Sequence, residues 1–227
     1  MPITVHSRPA DTLSQAEIDR WSQVPVAIAV DVSKAACQID PAIRPLCPPG
    51  QQPRLFGRAV TALCEPPDFG AVLAALELIQ PGDVLVIAAN GDAETAMIGE
   101  ILGGHLRRLG GRGIVCDGAI RDVAQLAGWP ELSAFARSIT PRGPTSMERG
   151  VVNAAVTIGG RLVGPGDLII GDDDGLAALS PAAIRSYIGA AEAKLALEEA
   201  WQKSLADGRS VAETFGLASS QIAGSSA

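Results

Sequence analysis

The feature that most constrains this chain is the succession PGDVLVIAANGD, ETAMIGEILGGHLRRLG and RGIVCDGAIRD across residues 81–122. A short apolar run bounded by Pro, Gly and Asp reads as a buried strand. The stretch between the two runs reads as a helix, its last turn basic and closed by Gly110 and Gly111, as helix C-termini prefer. Strand, helix and strand in that order make a parallel unit, because parallel neighbours need a long crossover. GRAVTALC (57–64) and DFGAVLAALELI, with Phe69, Val72, Leu73 and Leu76 at helical spacing, supply an earlier strand and helix.

The flanks follow other patterns. ADTLSQAEIDRW is a candidate short helix near the start, and 41–57, rich in Pro and Gly, reads as a loop. After residue 130, FARSI, VVNAAVTIGGRLV and DLIIGDDDGLAAL read as short strands joined by tight turns. A helix over about 181–206 then opens at Ser180, a good N-cap, with Pro181 at its first position. Ile184, Ile188, Ala191 and Leu195 give that helix an apolar stripe. The tail AETFGLASSQIAGSSA is expected to fray. There is no internal repeat, so residues 1–227 read as one α/β domain, with a core over about 22–180 and a C-terminal helical arm.

Composition narrows the function. Hydrophobic residues make up 47% and aromatics 4%, so the core is aliphatic, and the formal net charge of −7 argues against non-specific nucleic-acid binding. Cys37, Cys47, Cys64 and Cys116 show no C-x-x-C spacing, and Cys64 and Cys116 end apolar runs, as small buried thiols do. The N-terminus lacks a signal-peptide pattern and no apolar stretch is long enough to span a membrane. A soluble, cytoplasmic protein is expected.

Few residues suit catalysis. His6 and His105 are about a hundred residues apart, which excludes a histidine-rich zinc site, and His105 lies in a basic helical turn that suits a solvated histidine. GDDDG (171–175) has consecutive aspartates whose side chains diverge, whereas a calcium loop alternates its ligands, so a polar hairpin turn is expected. NGDAETAMIGE (90–100) matches neither dinucleotide nor Walker pattern, yet amides at a helix start there would cradle a carboxylate or phosphate. Arg121 and Asp122 stand side by side where a strand gives way to a helix. Adjacent side chains diverge on a strand or helix, and only a turn readily aims both into one pocket. They read either as a surface ion pair beside a helix cap, or as a cation and a metal ligand joined by Glu100 from the preceding unit. Oxygen donors of that kind suit Mg²⁺ or Mn²⁺.

The run GDVLVIAANGD, GE, RGIVCDGAIRD, ITPRG and VVNAAVTIGGRLVGPGDLIIGDDDGLAAL resembles the RraA-like family over about residues 55–180. That family holds class II 4-hydroxy-4-methyl-2-oxoglutarate / 4-carboxy-4-hydroxy-2-oxoadipate aldolases and ribonuclease E activity regulators. The resemblance implies a swivelling β/β/α domain, assembled as a homotrimer or homohexamer. It makes Asp122 the ligand of a divalent metal, Arg121 the residue that holds the substrate and stabilises an enolate, and Glu100 the acidic position reaching the metal through water. Gly99, Ile101 and Leu102 match the backbone cradle for the pyruvyl carboxylate, and Glu198 or Glu199 would reach in from a neighbouring subunit. The regulators commonly lack the aspartate after the arginine, so R-D favours an aldolase cleaving a 4-hydroxy-2-keto diacid to pyruvate and a second keto acid. Oxaloacetate decarboxylation is the expected side activity. The alternatives are a non-enzymatic regulator and a lyase or decarboxylase for another keto acid. One departure, ILGGHLRRLGGRG after the G-E, puts extra glycines and His105 where they could reshape the pocket.

Overall fold

Residues 2–8, 10 and 13–217 are described in a computed structural model; most of the C-terminal tail, from Ala218 onward, lies outside them. The elements in chain order are β1 (Thr4–Val5), α1 (Gln15–Asp19), α2 (Val26–Val32), β2 (Arg44–Pro45), β3 (Leu55–Leu63), α3 (Gly70–Leu76), β4 (Asp83–Ala96), α4 (Glu100–Arg108), β5 (Gly113–Ile120), α5 (Val123–Ala127), β6 (Ser133–Ile139), β7 (Val151–Val152), β8 (Val156–Ile158), β9 (Arg161–Val163), β10 (Leu168–Asp172), β11 (Gly175–Leu179), α6 (Pro181–Ala206) and α7 (Val211–Phe215). Strands β3, β4, β5 and β6 pair in parallel in that order, with β10 antiparallel on the first of them and β11 beyond it.

The parallel strands read as unbroken apolar runs because both of their faces are covered. Leu85, Ile87 and Ala89 of β4 face one core with Ile114 and Cys116, under α3, α4 and α5. Val84, Val86 and Ala88 face the other way, against Phe135, Ile169 and the β8–β9 hairpin. A third core lies between β10–β11 and helices α1, α2 and α6, where Trp21, Ile28, Leu179, Ile184 and Ile188 meet. The order is helix layer, sheet, second strand layer, helix layer, a mixed α/β architecture. Burying one such Ile or Leu stabilises by about 1.5–3 kcal/mol.

Local chemistry fixes the ends. Ser180 accepts the Ala183 amide at 3.3 Å and opens α6 at Pro181. GDDDG is the β10–β11 turn, with Asp172 accepting the Asp174 amide at 3.0 Å. The four cysteines are free. Burial pushes the Cys64 thiol up to about 12, and Cys116, wholly buried, is also raised, so both are inert packing groups.

One boundary differs from the sequence expectation. ETAM is not helical: β4 continues as far as Ala96, and α4 begins only at Glu100. Asn90 (φ 52°) and Gly91 (φ 75°) turn the strand out and back. Pairing then resumes at Asp92 with Gly118 and at Ala96 with Ala119. The Thr95 amide is taken by the Asp92 carboxylate at 2.8 Å and the Ala96 amide by the Arg142 carbonyl at 2.8 Å. These partners satisfy the backbone, so a helix has nothing to gain before Gly99. The 41–57 loop also holds the two-residue β2, paired with β6. α1 is shorter than the expected helix, starting from the Ser14 capping box.

Candidate active site

The C-terminal ends of β4 and β5 build the site. The Arg121 amide still pairs with the Ile98 carbonyl at 3.1 Å, and the chain then reverses at Asp122, in the left-handed region at φ 56°, ψ 39°. A non-glycine residue held there costs on the order of 1–3 kcal/mol and persists only when its surroundings impose it. The Asp122 carbonyl accepts the Gln125 and Leu126 amides, each at 3.1 Å, and so starts α5. The reversal brings both side chains together, with Arg121 Nε 3.6 Å from Asp122 Oδ2. Both are about two-fifths exposed, 41% and 39%, so the pair faces an opening and is not sealed in the core.

Asp122 does not cap its own helix. Its Oδ2 accepts the Glu100 amide at 3.0 Å, at the start of α4, where the helix dipole favours a carboxylate. The next two amides of α4, those of Ile101 and Leu102, have no acceptor among the described residues. Unpaired amides at a helix start suit a small anion such as a carboxylate. Glycine leaves room for these side chains at two flanking positions. A Cβ on Gly99 would lie 2.4 Å from Asp122 Oδ2, and one on Gly143 would lie 2.5 Å from Arg121 Nη1.

Around this pair is a cavity of about 320 Å³, lined by Gly99, Ile101, Leu102, Arg121 and Asp122 and walled by Phe69, Leu73 and Pro144. Ile139, Thr140 and Pro141 line an adjoining hollow on the far side of Arg121 and Asp122. Arg121 is the one cation among the lining groups and Asp122 the one acid.

Other candidate residues sit elsewhere. Glu100 joins the site through its amide, and its side chain is exposed outside the lining. His105 follows on α4, part-buried and away from the cavity. Glu198 lies on α6, 3.5 Å from Lys194, and neither it nor Glu199 lines the cavity of its own chain. Residues not singled out from the sequence are Phe69 and Leu73, which read as core helix positions, and Gly143 and Pro144. For the last two the sequence shows a Pro- and Gly-containing turn but not what that turn approaches.

Asp68 supports one wall. Its side chain is fully buried, and it accepts the Gly70 amide at 2.9 Å, the Glu148 amide at 2.9 Å, the Arg149 amide at 3.1 Å and the Ser146 hydroxyl. Burial alone would raise this carboxyl, but the four donors outweigh it and hold it below the usual aspartate range.

Among the described residues no three His, Cys, Asp or Glu side chains converge on one point. Asp122 lines the cavity, and of its two carboxylate oxygens only Oδ2 takes a protein donor among the described residues. One oxygen ligand with room for solvent fits Mg²⁺ or Mn²⁺, which dehydrate reluctantly and bind through one or two carboxylates. It does not fit a caged zinc or calcium site.

Residues 14–177 match the sequence profile of the RraA-like family, described as Aldolase/RraA. A protein of Halalkalibacterium halodurans, provisionally named a 4-hydroxy-4-methyl-2-oxoglutarate aldolase, is 32% identical over 200 residues, 86% of this chain and 92% of that protein. The crystal structure of Streptomyces coelicolor RraAS2, described as an unusual member of the RNase ES inhibitor RraA protein family, superposes with a TM-score of 0.70 at 27% identity, over 82% of this chain and 96% of that one. An uncharacterized Pseudomonas syringae protein shares the fold with a TM-score of 0.79 at 20% identity, over 93% and 98% of the two chains. No helix among the described residues is long and apolar enough to cross a membrane. The match over residues 14–177, together with the H. halodurans relative, shows that this chain belongs to the RraA-like family.

Proposed function

We propose that the chain is a divalent-metal-dependent class II aldolase that cleaves a 4-hydroxy-2-keto acid of the 4-hydroxy-4-methyl-2-oxoglutarate type to pyruvate and a second keto acid. The observation that carries the reading is the Arg121–Asp122 pair, 3.6 Å apart in one open cavity beside unpaired helix-start amides. The H. halodurans relative's name supports the same chemistry.

The substrate carboxylate sits on the Ile101 and Leu102 amides, which hold it by charge-assisted hydrogen bonds. Arg121 faces the keto oxygen, where C–C cleavage leaves negative charge, and its fixed guanidinium stabilises that charge as it develops. Asp122 would hold Mg²⁺ or Mn²⁺, which when bound supplies Lewis acidity at the same oxygen. Glu100 carries the carboxylate nearest the cradle in sequence. Through a water it removes the proton of the C4 hydroxyl and later returns one to the pyruvyl carbon. Oxaloacetate decarboxylation passes through the same charge distribution and is the expected side activity. A homotrimer or homohexamer would let Glu198 or Glu199 of a neighbour complete the open side.

The test is pyruvate release from 4-hydroxy-4-methyl-2-oxoglutarate and from oxaloacetate, with Mg²⁺ and with a chelator. Turnover that stops on chelation and returns with Mg²⁺ or Mn²⁺ is expected. Turnover that survives chelation, or that survives Asp122→Ala, would sink the metal role. No turnover of any keto acid would leave the regulator reading of the same fold.

A further inference from the structure

The loop 143–149 has no regular secondary structure, and Met147 on it is 62% exposed, yet it carries the wall that touches Arg121. The contact is direct: the Arg121 guanidinium occupies the space into which a Gly143 Cβ would project, 2.5 Å from Nη1. A neighbouring part of the wall is Phe69, the residue before α3. Between the two parts lies Asp68, and nearly every polar tie across them passes through it or its neighbours. Its Oδ1 takes the Gly70 amide from its own turn and the Arg149 amide from the loop, at 2.9 and 3.1 Å. Its Oδ2 takes the Glu148 amide at 2.9 Å and the Ser146 hydroxyl. The Phe69 amide reaches the Ser146 carbonyl and the Thr145 amide the Pro67 carbonyl, each at 3.0 Å.

We propose that Asp68 is a positioning residue of the candidate active site, a buried clamp that fixes loop 143–149 and so holds Gly143 and Pro144 at the distance that locks the Arg121 guanidinium. It touches no substrate. It acts because a fully buried carboxylate with donors on both oxygens favours one arrangement of the two segments it joins. Displacement of the loop moves Gly143 away from Arg121, and catalytic geometry tolerates only about 0.5 Å of such slack. The proposal rests on the aldolase reading only for the anion that Arg121 binds.

The test compares Asp68→Asn, Gly143→Ala, their combination, and Asp117→Asn as a control in a different buried network. Hydrogen–deuterium exchange across 143–149 reads the clamp. Calorimetric titration with oxalate and Mg²⁺, oxalate standing for the planar pyruvyl enolate, reads the pocket. In Asp68→Asn the amide NH₂ faces donors where an oxygen stood, so exchange in 143–149 is expected to rise at least ten-fold and oxalate affinity to fall at least ten-fold. Gly143→Ala should lose oxalate comparably by pushing on Arg121 directly. The double variant should bind within two-fold of the weaker single. Asp117→Asn should keep oxalate affinity within two-fold of the parent despite its lower stability. Unchanged exchange in Asp68→Asn overturns the proposal, as does unchanged oxalate affinity or an equal loss in Asp117→Asn. Should Asp68→Asn not fold, Ser146→Ala removes one donor and is expected to give the same pattern at about three-fold. A parent protein that binds no oxalate refutes the aldolase reading, and the exchange data then decide the clamp alone.

Discussion

Two Arg–Asp pairs occupy neighbouring strand ends and behave in opposite ways. Arg137 on β6 reaches Asp117 on β5 at 2.5 Å and Asp40 at 2.9 Å, while the other Asp117 oxygen takes the Gly159 amide at 2.7 Å. Its guanidinium is held further toward the charged form by those hydrogen bonds, against the opposing effect of burial. Arg121 and Asp122, by contrast, stand 3.6 Å apart, exposed, with a left-handed backbone and two glycines cleared for them. The first pair is bound into the fold: it ties the β8–β9 hairpin and the Asp40 segment to the sheet, and both Asp117 oxygens are taken by protein donors. The second is under-coordinated and strained, the condition in which charged groups serve chemistry. Residue type does not separate them; coordination does.

The comparison breaks first on activity. Arg121→Ala should lower kcat/KM for pyruvate release by about 10²–10³, the usual loss when one preorganised oxyanion partner is removed. Asp122→Asn should do likewise while leaving the melting temperature near the parent's, since Asn tolerates the left-handed region. Steady-state kinetics with Mg²⁺, set beside thermal unfolding, checks both. If either variant unfolds early instead, the pair is structural and resembles the other one. Asp117→Asn is expected to be the mirror image. It leaves Arg137 short of a partner and should destabilise by about 3 kcal/mol, the lower end for breaking a buried pair because Arg137 is 25% exposed. Activity per folded molecule should stay unchanged.

This contrast explains what the sequence could and could not convey. The strands of the parallel sheet were legible because burial on both faces writes an unbroken apolar run. α6 was legible because Ser180 and Pro181 mark its start. The start of α4 was not: ETAMIGE has helical composition, and only the pairing of Asp92 and Ala96 with β5, a long-range fact, keeps it extended. Arg121 and Asp122 were visible as neighbours, but their convergence depends on one backbone reversal that no spacing encodes. Asp68 and Gly143 were silent for a similar reason, since their roles arise from segments about seventy-five residues apart meeting in space.

A smaller effect sharpens the role of glycine at the exposed pair. Gly99 has φ −153°, a conformation open to any residue, so Gly99→Ala brings no backbone strain. The added methyl meets Asp122 Oδ2 at 2.4 Å and Arg121 Cγ at 2.8 Å. Turnover should therefore fall about ten-fold, the scale at which small misplacements act on a preorganised site. The unfolding midpoint in urea should move little, because both side chains can swing toward solvent. A full loss of fold would instead mean that Gly99 packs the core.

The smallest effect is a pH dependence that belongs to the buried wall and not to the exposed pair. Four donors hold the Asp68 carboxyl below its ordinary value, so the folded state keeps it ionised at a pH where the unfolded chain, near 3.9, takes up a proton. The sign follows from linkage: the stabilisation is complete above about pH 5 and shrinks as pH falls through and below the unfolded value, by up to about 1.4 kcal/mol per pH unit. Urea midpoints of the parent and of Asp68→Asn, taken from pH 6 down to pH 3, should therefore converge, because the asparagine variant has no proton to gain. Other carboxylates tilt both curves alike and cancel in the difference. A gap that stays constant with pH would mean that Asp68 holds its loop by shape rather than charge, and its clamp would then be as replaceable as an apolar contact.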